Sequence, residues 1–106
     1  MEDIINPFEF SLSVRPNIAE VGQTIESATF SWNLTRIPAV IFLDEEINIT
    51  EKSGTFVLNE SNRNYFPITE KKNWTGKATD EKGKEVFPSS QPSISFYFPL
   101  YYGAVN

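Results

Sequence analysis

The segment "SATFSWNLT", residues 27–35, alternates apolar and polar side chains without interruption. The even-numbered positions hold Ala28, Phe30, Trp32 and Leu34. The odd-numbered positions hold only serine, threonine and asparagine. A helix would distribute these side chains around its circumference, whereas an extended strand places them on two opposite faces. The segment therefore predicts a β-strand with one face in the core and one face toward water.

The same two-residue period recurs in the first half of the chain. "FEFSLSV", which begins at Phe8, has an apolar residue at every second position. "AVIFLDEEINIT" follows Pro38 and predicts two short strands joined by a turn near Asp44–Glu45. Thr55–Leu58 predicts a further strand after the turn-forming residues "EKSG".

The second half predicts an edge strand, a hairpin and a final strand. "YFPIT" is interrupted by Pro67, which has no backbone N–H and therefore suits only an edge. "NWTGKATDEKGKEV" predicts a hairpin that turns at "DEKG". In "SISFYF" we expect Ile94, Phe96 and Phe98 to face the core and Tyr97 to face outward.

No segment holds apolar residues at helical spacing for three turns, so the chain is predicted to be all-β. About seven short strands separated by regular turns indicate a two-sheet antiparallel β-sandwich. With 106 residues the chain fits one domain, which we expect to span 1–106. There is no cysteine, so no disulfide joins the sheets, and the core must be built from its nine phenylalanines, four tyrosines and two tryptophans.

Composition also bears on function. The absence of histidine removes the commonest general base and metal ligand, and the absence of cysteine removes thiolate chemistry. The net charge of −5 disfavours nucleic acid and anionic membranes as partners, since both reward a basic surface. No signal peptide and no stretch of about 20 apolar residues is expected.

Acidic residues provide the only candidates for metal or catalytic chemistry. The run Asp44–Glu46 lacks the alternating ligand spacing and glycine of a calcium loop, which favours a solvated turn. A glycosidase-like pair of carboxylates could be drawn from four positions that nothing in the sequence gathers into a cleft: Glu46, Glu51, Glu60 and Glu70. We therefore predict no catalytic residue, no metal site, no cofactor and a protein that is not an enzyme.

Aromatic residues are the candidates for contact with a ligand or partner. Trp32 lies between apolar neighbours and is expected in the core, whereas Trp74 alternates with the small residues Gly76 and Ala78 and is the better candidate for exposure. The ending "FYFPLYYGAVN" adds Tyr97, Tyr101 and Tyr102. Tyrosine is enriched at protein interfaces, although these rings could equally cover the end of the domain's own core.

The order of short motifs resembles a known group of domains. "EVG" precedes the strand that holds Trp32, a late hairpin carries Thr79-Asp80 and Gly83, and the chain closes on "YYG". In this layout the chain resembles the small immunoglobulin-like β-sandwich domains of tailed-bacteriophage and prophage virion proteins. The resemblance runs from Phe8 to Val105.

The resemblance implies a non-enzymatic structural or adhesion module of a tail, baseplate or neck protein, made in the bacterial cytoplasm and carried on the virion. Its partners would be other virion domains and, weakly, cell-surface carbohydrate. It also implies that the domain is excised from a longer protein. The alternative is a carbohydrate-binding module of a viral or secreted bacterial protein, which would need an aromatic platform on a sheet face or loop tip; a spacer would need exposed apolar surface only where the chain enters and leaves.

Overall fold

The computed structural model describes residues 7–99, which form ten β-strands and no helix. In chain order the strands are β1 (Phe10–Arg15), β2 (Ile18–Glu20), β3 (Ser27–Leu34), β4 (Ala39–Leu43), β5 (Glu45–Ile49), β6 (Ser53–Asn59), β7 (Lys72–Asn73), β8 (Lys77–Asp80), β9 (Glu85–Val86) and β10 (Ser93–Tyr97). The all-β prediction is therefore confirmed. Over that range the structure contains no helix suited to crossing a membrane.

The first sheet has the strand order β1-β3-β6 and is antiparallel throughout. Strand β3 is its centre, with Phe10 opposite Leu34 on one side and Phe56 opposite Phe30 on the other. The alternation in β1 and β3 places their apolar residues on the inner face, as the sequence predicted. The outer face carries mainly serine and threonine, which suit a solvated sheet surface.

The remaining strands form the sheets β2-β10-β7 and β5-β4-β8-β9. Strands β7 and β8 follow each other along the chain and are separated only by residues 74–76. Across this break the side chain of Gln91 bonds both backbone groups of Gly76, accepting from its N–H at 2.8 Å and donating to its carbonyl at 2.9 Å. The two sheets therefore meet along one interrupted strand whose polar backbone groups stay paired.

One hydrophobic core draws side chains from all three sheets. Phe30 of β3 is completely buried, and its ring stacks on Phe56 with the centroids 5.2 Å apart. On its other side it meets the edge of Trp74 at 4.9 Å. Since Phe30 belongs to the first sheet and Trp74 lies between β7 and β8, this ring pair ties the opposing sheets together.

The predicted hairpin turn is held by Asp80, the last residue of β8. Its Oδ1 accepts hydrogen bonds from the backbone N–H groups of Lys82 and Lys84, at 3.0 and 2.9 Å. Gly83 has a φ of +86°, a left-handed conformation that glycine adopts without strain. The side chain of Asp80 is buried, and its Oδ2 lies 3.6 Å from Arg36.

Four details of the predicted fold differ from the structure. The described residues form ten strands rather than about seven, and β2 pairs with β10 in parallel rather than antiparallel. "YFPIT" is not a strand; only Ile68 of this segment bridges Ile25. Phe98 is 81% exposed, because β10 ends at Tyr97 and none of the residues 7–99 covers the Phe98 ring.

Candidate functional site

The aromatic residues predicted to make contacts occupy different environments. Tyr97 lies on the outer side of β10 and is 46% exposed. Trp74 is only 3% exposed, so its ring belongs to the core rather than to a contact surface. Tyr101 and Tyr102 lie outside the described residues. Of the four, Tyr97 alone is shown at the surface.

Tyr97 belongs to a surface that we call the exit patch, since it lies where β10 ends. Its members are large apolar side chains with exposed fractions of 59%, 42%, 46% and 81%. These residues are, in that order, Ile18, Val21, Tyr97 and Phe98. Ile18 and Tyr97 lie on the outer face of β2 and β10, and Val21 and Phe98 directly follow the last residues of these strands. Single exposed apolar residues are ordinary, but four at one end of a strand pair mark a candidate interaction site.

The parallel pairing of β2 with β10 assembles this patch. Because the strands run in the same direction, their carboxyl ends meet at the same end of the sheet. Tyr97 pairs with Glu20, and the Val21 N–H donates to the Tyr97 carbonyl at 2.8 Å. The next residue of each strand is therefore placed side by side, which brings Val21 next to Phe98.

A polar cluster surrounds Tyr65, whose ring centroid lies 6.2 Å from that of Trp74. The Tyr65 hydroxyl donates to Asp44 Oδ2 at 2.6 Å and accepts from Trp74 Nε1 at 2.9 Å. Lys72 Nζ lies 4.1 Å from the centre of the Tyr65 ring, in cation–π contact. Burial, and then the hydrogen bond to the Asp44 carboxylate, raise the pKa of Tyr65 to about 12. The Tyr65 phenol therefore stays protonated at neutral pH and keeps its hydrogen bond to Asp44.

Arg63 completes the charges of this cluster. It contacts Glu45 at 2.7 Å and Asp44 at 3.4 Å. Burial acts to lower the pKa of Arg63, but the hydrogen bond from its guanidinium to Glu45 and the neighbouring carboxylate charges outweigh it and raise that pKa. Two carboxylates of the predicted acidic turn are thus paired with an arginine.

A second surface feature is a groove of about 540 Å³ on the outer face of β4 and β8. Phe42 and the 59%-exposed Phe87 provide its apolar walls. Lys77 lies 5.2 Å from the centre of the Phe42 ring and pairs with Glu85 at 2.7 Å. Carboxylates of Asp44–Glu46 line its rim. The groove thus combines ring surface with hydrogen-bonding groups, the composition typical of small-ligand sites.

Sequence reasoning missed Ile18, Val21 and Phe87 as exposed residues. Ile18 lies in the segment that was interpreted as a connection, and Phe87 lies at the end of the hairpin. The alternation within "SISFYF" correctly predicted that Tyr97 faces outward, but nothing local showed that Phe98 is exposed. Trp32 was correctly predicted to lie on the inner face of β3, but its ring is only half-buried.

Among residues 7–99 no group of three or more potential metal-ligating side chains comes together. Comparisons of the chain with models of protein families, with curated proteins and with solved structures found no match.

Proposed function

We propose that this chain is a non-enzymatic structural or adhesion module of a tailed-phage or prophage virion protein, which contacts neighbouring virion domains through the exit patch. The virion assignment is supported by the sequence resemblance. The contact role is supported by one structural observation: exposed apolar side chains lie on β2 and β10 and on the residues that directly follow these two strands. A spacer needs exposed apolar surface that a neighbouring domain can cover.

The fold that accompanies this proposal is an immunoglobulin-like sandwich. If β7 and β8 count as one strand and β9 and β10 as another, the second layer has the order β2, β9/β10, β7/β8, β4, β5, facing the layer β1-β3-β6. This grouping supports an arrangement similar to that of variable-type domains, with three strands instead of four in the first layer. The contact between Phe30 and Trp74 would then occupy the place where antibody domains carry their inter-sheet disulfide.

The exit patch can be tested in the particle. An antibody raised against this domain is expected to label purified tailed particles from the source strain in electron micrographs. Phe98→Ser should abolish incorporation of the parent protein or its contact with the adjoining subunit, because it removes the most exposed ring of the patch. Phe87→Ser is the matched control, an exposed phenylalanine elsewhere on the surface. Unlabelled particles would refute the virion assignment, and equal effects of the two variants would refute the patch.

A carbohydrate-binding module is the second candidate, and the groove between Phe42 and Phe87 favours it. It supplies the aromatic platform on a sheet face that such a module requires, together with carboxylate and ammonium groups that can hydrogen-bond hydroxyls. A glycan array followed by NMR titration tests this reading. Binding lost in Phe87→Ala and retained in Phe98→Ala would support it, and an array without specific binding would remove it.

A further inference from the structure

Four side chains form a row across the outer face of the sheet β5-β4-β8-β9. Phe42 pairs with Glu46 on one side and with Lys77 on the other. Phe87 directly follows β9 and continues the register between β8 and β9, which places it opposite Lys77. Directly opposite residues of an antiparallel pair have their side chains on the same face, with Cβ atoms about 5 Å apart. All four residues accordingly line the groove of about 540 Å³.

This groove already accommodates one ammonium group, that of Lys77. The Lys77 Nζ lies 5.2 Å from the centre of the Phe42 ring and 2.7 Å from Glu85 Oε2. An aromatic face attracts a cation, and a carboxylate accepts a charge-assisted hydrogen bond from it. The two ends of the row, Glu46 and Phe87, supply the same two kinds of group to a ligand.

Glu46 is the carboxylate of the rim that the described residues do not neutralise. Asp44 and Glu45 are both paired with Arg63. The exposed Glu46 side chain has no hydrogen bond and no ion pair with any residue in the described part of the chain. The chain as a whole carries a net charge of −5. This end of the groove therefore attracts a cation.

The position of Glu46 is fixed by the turn that precedes it. Asp44 alone joins β4 to β5, and its φ of +69° is a left-handed conformation that aspartate adopts more readily than most residues. The Asp44 carboxylate accepts a hydrogen bond from the Tyr65 hydroxyl, which in turn accepts one from the buried Trp74. The rim is thus anchored to the core, and a ligand does not have to order it on binding.

A second cavity of about 200 Å³ lies on the same face of the sheet. Val40 pairs with Asn48 and with Thr79, which gives a second row two residues further along the strands, about 7 Å from the first. Asn48 and Thr50 line this cavity and are exposed. Amide and hydroxyl groups next to an aromatic row favour a polyhydroxylated ligand over the aliphatic side chain of a partner's lysine.

We propose that this face binds an oligosaccharide that contains amino sugars, a ligand class that deepens the second candidate function, carbohydrate binding, and rests on it. The ammonium group of one sugar lies between Glu46 and the Phe42 ring, and a neighbouring sugar packs on the 59%-exposed Phe87 ring. Neighbouring strands are about 4.8 Å apart, so a row across four strands is roughly 14 Å long. An oligomer fills this length, whereas a single amine does not.

Isothermal titration calorimetry at about pH 6, where amines of this kind are protonated, provides the test. The two ligands are a β-linked glucosamine tetramer and its fully N-acetylated counterpart, which keeps the ring skeleton and lacks the charges. We expect the glucosamine tetramer to bind about tenfold more tightly, because an ion pair and a cation–π contact each contribute at an exposed site. Glu46→Gln should remove most of this preference, and Phe87→Ala should weaken the binding of both tetramers.

Glu26→Gln is the matched control. It neutralises an exposed carboxylate that precedes β3 in the other sheet and changes the net charge by the same amount. The preference for the glucosamine tetramer should stay unchanged in this variant. Circular dichroism verifies that Glu46→Gln is folded, which is expected because the Glu46 side chain is exposed and has no partner among residues 7–99.

Equal affinity for the two tetramers, lost in Phe87→Ala, would overturn the amino-sugar specificity and leave carbohydrate binding in place. Equal effects of Glu46→Gln and Glu26→Gln would also overturn it, because the charge would then act at a distance and not in the groove. Binding of neither tetramer would overturn it as well, and the glycan array then decides separately on carbohydrate binding. Binding of a lysine-rich peptide in place of both tetramers would contradict it in favour of a protein partner.

Discussion

Replacing Phe30 by alanine tests whether the ring pair between the sheets holds this domain together. Phe30 is 0% exposed and contacts Phe56 and Trp74 with centroid distances of 5.2 and 4.9 Å. A buried phenylalanine covers at least about 150 Å², which at roughly 25 cal/mol per Å² corresponds to about 4 kcal/mol. Core Phe→Ala substitutions cost about 3–5 kcal/mol. We therefore expect the free energy of unfolding to fall by about 3–5 kcal/mol, a large part of the roughly 5–15 kcal/mol that stabilises a typical domain.

Urea unfolding followed by tryptophan fluorescence and circular dichroism measures this loss. With a denaturant slope of about 1.5 kcal/mol per M, the midpoint should fall by roughly 2–3 M. Phe30→Leu keeps most of the apolar volume and should cost about 1–3 kcal/mol, since two ring pairs are worth about 0.5–1.5 kcal/mol each. It remains measurable if the alanine variant does not fold.

Phe98→Ala is the matched control for this experiment. It removes the same ring from a position that is 81% exposed, and surface substitutions of this kind stay within about 0.5 kcal/mol. Equal losses at Phe30 and Phe98, or a loss below about 1 kcal/mol at Phe30, would refute the assignment of the core to this ring pair.

Further predictions concern single polar groups and one glycine. The pKa of Tyr65 is raised to about 12, so the unfolded chain loses this proton at a lower pH than the folded chain, and the free energy of unfolding should fall by about 1 kcal/mol, after allowance for solvent screening, as pH rises from about 10 to 12. In melting experiments at a series of pH values, Tyr65→Phe should lack this part of the decline. An unchanged decline in the variant would contradict the raised pKa. Asp80→Ala should lower stability by about 2–3 kcal/mol, because the buried carboxylate bonds two backbone N–H groups of the turn; calorimetry should show this loss, and a melting temperature equal to that of the wild type would rule it out. Gly83→Ala should lower the free energy of unfolding by about 1 kcal/mol, because alanine is strained at a φ of +86° although no atom obstructs a Cβ there. A stabilising effect in the same measurement would show that the turn can rearrange.

Much of the fold followed from residue order because strands obey a strict two-residue period. The buried faces of β1 and β3, the turn at Asp44 and the hairpin closed by Gly83 were all predicted from alternation and turn chemistry. What failed was any feature that depends on what lies opposite. Phe98 alternates in step with Ile94 and Phe96, which face inward. An inward-facing position is buried only where a second layer of the protein covers it, and Phe98 is exposed.

The two tryptophans show the same limit. Both were predicted to face inward, and Trp74 was the one considered for exposure because its alternating neighbours are small. In the structure those small neighbours let the opposing sheet approach closely, as at Gly76, where a Cβ would lie 2.8 Å from Leu12. Trp74 is therefore buried, while Trp32 lies at the open side beside β6 and is only half-covered.

The sequence by itself determined which residues are extended and which of their faces is apolar, because these properties depend on neighbours within a few positions. Only the tertiary structure decided that β2 joins β10 in parallel, that the exit patch lies at the end of these two strands and that β6 pairs with β3 on one side only. These features depend on which strands come together across long separations in the chain, and local alternation carries no information about that choice.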